Sequence, residues 1–182
     1  MIHNGPYGRK IMPLHLETLD VFNQLEFYNS VLIVSCPVCP PVSLATENNS
    51  PLIEFFKSGI KTRAYEDYIH KIRETLERRG VQTGVFTTYA PCPATCLWTK
   101  GQRNRLLKRA RNYDAALVMG CESARYTVEK ALESTDCQVV LGMQLTGITN
   151  ASVDFRFPFT ITLENLARVK ANEEVGRVSS LD

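Results

Sequence analysis

A chain of 182 residues, 44% hydrophobic and 22% charged, can bury a core without covalent staples, so its six cysteines are not needed as struts. A net charge of +2 supplies no global attraction to nucleic acid, and no apolar run approaches the roughly 18 to 20 residues of a membrane-spanning helix. The start, Met1 to Lys10, lacks the basic stretch and apolar core of a secretory signal, which points to a cytoplasmic protein with reduced thiols.

In chain order, Leu16, Leu19, Phe22 and Leu25 recur at near-helical spacing, so residues 1–30 read as an N-terminal arm and a short helix. The apolar run Val31 to Val34 follows as a strand. Residues 36–51 carry Pro37, Pro40, Pro41, Asn48, Asn49 and Ser50, the composition of a long loop. Ala64, Tyr68, Ile72 and Leu76 form one stripe of a helix over residues 63–79, stopped by Gly80. Strands over residues 85–89 and 115–119 alternate with helices over residues 103–112 and 123–133, the last capped by Ser123, and a strand follows over residues 138–141. Val153 to Leu163 alternates apolar and polar residues around Pro158, the pattern of an edge strand. Leu166 to Val175 suits a last helical turn, and residues 176–182 a frayed tail. The alternation predicts a single α/β domain over residues 1–182: a three-layer, flavodoxin-like open parallel sheet with an added C-terminal edge strand.

Five cysteines sit where predicted strands run out. Cys36 and Cys39 follow the first strand, Cys92 and Cys96 the second, and Cys121 the third. If these strands are parallel neighbours, the thiols converge on the carboxyl edge, where open α/β sheets bind ligands. Two close pairs plus a fifth thiol suit a metal, a cluster or thiol chemistry, with small buried thiols as the bland alternative. His3, His15 and His70 lie outside these loops, so ligation would be by sulfur alone, which favours an iron–sulfur cluster over catalytic zinc. Cys36, Cys39, Cys92 and Cys121 are the expected metal ligands, with Cys96 a substitute or further cofactor-binding thiol. Cys121 lies between a strand and a helix, where the helix start favours a thiolate. Trp98 shields the thiols or simply fills core. Cys137 precedes a strand and belongs at the opposite end of the sheet.

Lys100, Arg103, Arg105, Lys108, Arg109 and Arg111 form a run without an acidic residue. It reads as a solvated helix face or a docking surface for an acidic protein, while the scarcity of interleaved aromatics speaks against nucleic acid. Dinucleotide, P-loop and serine-hydrolase motifs are absent from the sequence.

The order strand-CxxC, strand-Cys, strand-Gly-Cys-helix over about Val31 to Glu133 resembles the iron–sulfur delta subunit of methyl-viologen-reducing hydrogenases, which relays electrons to heterodisulfide reductase. That resemblance implies Cys36, Cys39, Cys92 and Cys121 as ligands of a 2Fe-2S cluster; here the third loop lacks a second cysteine and the second loop gains Cys96. Residues 79–86 and the strand-helix-strand from Tyr113 to Gly142 are more faintly similar to operon protein C of methyl-coenzyme M reductase, which implies a cofactor assembly or activation factor. The sequence therefore suggests a cysteine-ligated iron–sulfur protein for electron transfer or cluster handling, one component of a redox assembly or a homo-oligomer rather than a stand-alone enzyme. A thiol-disulfide or sulfur-transfer enzyme using the CxxC and a zinc-stabilised interaction module are the alternatives.

Overall fold

A computed structural model describes residues 9–170. In chain order the elements are β1 (Arg9–Ile11), β2 (Leu14–Thr18), α1 (Phe22–Leu25), β3 (Ser30–Ser35), α2 (Cys39–Glu47), β4 (Ile53–Glu54), α3 (Phe55–Ser58), α4 (Arg63–Arg78), β5 (Gln82–Phe86), a 3-10 turn (Thr95–Leu97), α5 (Lys100–Ala110), β6 (Ala115–Met119), α6 (Glu122–Leu132), β7 (Gln138–Leu141), β8 (Met143–Arg156) and β9 (Thr160–Lys170).

Four strands form a parallel sheet in the order β5-β3-β6-β7. All six residues of β3 are buried, as a central parallel strand covered on both faces requires. Its Val31 pairs with Thr83 on one side and Ala115 on the other, so β3, β5 and β6 run out at one edge. Helix α2 packs on α4, and α5 packs on α6. The buried stripe of α4 is Tyr65, Ile69, Ile72 and Leu76, which replaces Ala64 and Tyr68 of the expected stripe. Thr99 and Gln102 close a reciprocal capping box at the start of α5.

The other strands form an antiparallel sheet, β1-β8-β9-β4, with β2 also paired to β8. This sheet corrects three local expectations, and helix α2 a fourth. Residues 14–18 are a strand rather than part of a helix, because β8, some 130 positions away, takes Leu14 to Thr18 into a ladder that local spacing cannot reveal. The expected edge strand over residues 153–163 bends at Phe157–Phe159 into a hairpin of β8 and β9 outside the parallel sheet, with the Phe157–Pro158 peptide cis and Phe159 at φ 61°. Residues 166–170 continue β9 instead of turning helical. Within the expected long loop, residues 39–47 are helix α2: Pro40 and Pro41 fall in the first turn, whose N–H groups have no partner inside a helix. Cys121, not Ser123, is the N-cap residue of α6, and the second strand of the parallel sheet is shifted to Gln82–Phe86. The expected tail, residues 176–182, lies outside the described residues.

Candidate functional site

The carboxyl ends of β3 and β6 are joined by backbone and side chain together. The Cys36 N–H donates to the Met119 carbonyl at 3.0 Å. Tyr65, buried on α4, donates to the same carbonyl at 3.3 Å and accepts from the Ser35 hydroxyl at 3.0 Å. Burial raises the Tyr65 phenol far above its ordinary range, so it remains a neutral strut. Gly120 permits the close approach: a Cβ built there would lie 2.9 Å from Cβ of Ala124 and 3.4 Å from Cβ of Cys36. Cys36 and Cys121 therefore leave neighbouring strand ends side by side, both buried.

Cys39 begins α2 and is half-buried. The Ser43 hydroxyl, one turn later, accepts from the Leu16 N–H at 2.9 Å and lies 3.1 Å from the Cys39 carbonyl, which ties this helix to β2. Burial pushes the Cys39 thiol up to about 11, eased by the Leu14 backbone and reinforced by the neighbouring Cys36, Cys121 and Cys96. Cys96 is raised as well, first by desolvation, then by Cys121 and Cys36. It rides on the 3-10 turn that packs against α6, the helix that Cys121 caps. Cys36, Cys39, Cys96 and Cys121 thus share one electrostatic neighbourhood. Cys92 adjoins it through Cys96, and its sulfur faces the Ala94 carbonyl at 3.8 Å. Cys137 is buried at the start of β7, apart from the others, and burial followed by Asp114 pushes its thiol up to about 11.

Among the described residues no group of three or more His, Cys, Asp or Glu side chains is positioned to hold one metal ion. The turn carrying Cys96 also bears two buried groups without a hydrogen-bond partner among the described residues, the Thr95 hydroxyl and the Trp98 indole N–H. The Trp98 ring stacks edge-on against Phe86 of β5, 5.6 Å between centroids.

Three supports were not anticipated from sequence. Tyr65 carried no signal beyond helical spacing, and Ser43 none at all. Gln102 lies in a Thr-x-x-Gln capping pattern that was there to be read. Fully buried, it donates from its amide to the Cys92 carbonyl at 2.6 Å and fixes that loop to α5. Arg105, expected on the free basic face, donates to the Ala90 carbonyl at 2.9 Å and to Thr88 at 3.2 Å. The remaining cations of α5, Lys100, Arg103, Lys108 and Arg109, are exposed, as is Arg111 just beyond it.

No helix among the described residues is long and apolar enough to cross a membrane. No protein-family model, curated protein or solved structure matches the chain.

Proposed function

We propose that this chain is a cysteine-ligated iron–sulfur protein that transfers electrons or handles clusters as a component of a larger redox assembly, in a reducing, cytoplasmic setting. The observation that carries this reading is the convergence of Cys36, Cys39, Cys96 and Cys121 at the carboxyl edge of adjacent parallel strands. The order β5-β3-β6-β7 corresponds to second-first-third-fourth along the chain, which supports a flavodoxin-like winding with its ligand crevice beside β3.

The donor set suits a cluster. It is sulfur only, which favours a cluster over catalytic zinc. The Cys121 side chain makes no cap bond to α6, so the positive helix start lies beside this thiol, with Glu122 the one acidic residue of the first turn. The partnerless Thr95 hydroxyl and Trp98 N–H are further donors on the same turn as Cys96. A bound cluster would supply one-electron chemistry; the protein's own part is to hold the sulfurs, exclude water with Trp98 and deliver hydrogen bonds. The strand-then-cysteine layout shared with the hydrogenase delta subunit supports the same reading.

The test is anaerobic iron and acid-labile sulfide analysis of the purified chain and its serine variants. Cys36→Ser, Cys39→Ser, Cys96→Ser and Cys121→Ser should each lose most of the iron and visible absorption, while Cys137→Ser retains both. Cys92→Ser distinguishes an accessory thiol, with iron kept, from a true ligand. Iron-free wild type, or equal iron in all variants, rejects the proposal; stoichiometric zinc without sulfide would replace it with the zinc-stabilised module.

A further inference from the structure

The far end of the β8–β9 hairpin carries a cluster of aromatic side chains that the thiol chemistry does not use. Phe55, Phe56 and Phe159 form a triangle of tilted and edge-on rings with centroids 5.8 to 6.2 Å apart. Phe155 and Phe157 flank it on the hairpin, and Phe157 is 94% exposed; the other four are at least half exposed. Singly exposed apolar residues are ordinary, but five phenylalanines together at one tip mark an interaction surface.

We infer that this tip is a self-complementary dimer contact, occupied by a second copy of the chain. Two observations select that occupant. At ~150 to 250 Å² per aromatic side chain, the exposed parts of the five rings offer roughly 500 to 850 Å², which overlaps the ~600 to 1,000 Å² per partner of a stable interface. The charged groups around the tip are already satisfied within the chain: Lys57 pairs with Glu54 at 2.7 Å, and Arg156 with Asp154 at 3.1 Å and Glu164 at 2.5 Å. Two such rims meet without strong repulsion, and they offer no surplus of positive charge to an anionic lipid surface or an acidic protein. A two-fold axis through the tip lets Phe157 of each copy pack against the aromatic triangle of the other, an isologous arrangement that closes at two.

The test is sedimentation velocity of the full chain over a thousandfold concentration range, beside Phe56→Ser/Phe157→Ser and the conservative Phe157→Leu. Wild type should be a dimer that dissociates on dilution. The double serine variant should be at least tenfold weaker in dimerisation, with unchanged circular dichroism and thiol titration, and Phe157→Leu should retain most of the association. Because the substituted rings are exposed, the native fold does not depend on them, and dilution of the wild type tests the inference without any variant. A wild-type monomer at every concentration overturns it, as does a dimer that the double variant leaves intact. Co-sedimentation of monomeric wild type with phosphatidylcholine vesicles, lost in the double variant, would assign the tip to lipid instead. The readout is independent of iron content, so it stands or falls separately from the cluster proposal.

Discussion

Gly120 occupies the closest approach between the two strands that present buried thiols. A methyl group there meets Ala124 at 2.9 Å and Cys36 at 3.4 Å, so Gly120→Ala must push apart α6 and the end of β3. A cost of about 1 to 3 kcal/mol is expected, as for other overpacking, together with weaker metal retention. Gly101 provides the contrast, since a Cβ there meets only the Thr99 hydroxyl at 3.9 Å. Gly101→Ala should leave metal content alone and raise stability by roughly 0.5 to 1 kcal/mol through helix propensity. Thermal melts and iron analysis of the two variants check both expectations. Cys137 adds a pH dependence. Its thiol is pushed from 9.0 up to about 11, so between those values the unfolded chain loses a proton that the folded chain keeps. Stability should therefore fall as pH rises through that window, and Cys137→Ala should flatten the decline in urea titrations of reduced protein.

Helix α5 shows how one run of like charges divides into two jobs. Arg105 holds the loop before Cys92 through the Ala90 carbonyl, whereas Arg103 and Lys108 are exposed. Arg103→Glu/Lys108→Glu should leave the melting temperature within the range of a surface change, and should weaken capture of an acidic partner from native extract most at low salt. Arg105→Glu should instead destabilise by about 0.5 to 1.5 kcal/mol and speed proteolysis near Ala90, even at high salt. The sequence showed the charges but not this division, because a guanidinium reaching a loop 15 residues away leaves no local pattern. The same limit explains the other differences. β3 and β6 were legible from apolar runs, and the placing of Cys36 and Cys121 at one edge followed from parallel topology alone. Helix α2 was hidden by prolines that its first turn accommodates, and β2 by a ladder formed with β8. Strict alternation through residues 153–163 matched a strand, yet the turn at Phe157–Phe159 gave no glycine or asparagine signal. Cys92 and Cys96 were legible as a pair, but the tilt of the 3-10 turn that brings Cys96 toward Cys121, and turns Cys92 to the Ala94 carbonyl, was not.

At the scale of the molecule, two sheets divide the work. The parallel sheet presents Cys36 and Cys121 at its carboxyl edge, and the antiparallel one carries the aromatic tip. The proposed dimer contact uses residues of α3 and the β8–β9 hairpin, whereas the exposed basic run is on α5. Dimerisation and α5 docking should therefore add independently: tip variants should not change partner capture per chain, and α5 variants should not change the dimer. The burial of β3 along its whole length has a further consequence, in the timing of amide exchange with deuterated water. The Cys36 N–H is bonded to Met119 at the end of that strand, so it should exchange only when the whole domain opens. Amides in the outer half of the hairpin, where exposed rings replace a packed core, should exchange by local fraying orders of magnitude sooner. Exchange at the thiol edge should thus follow the slowest-opening part of the chain, and fraying of the outer hairpin should leave it undisturbed.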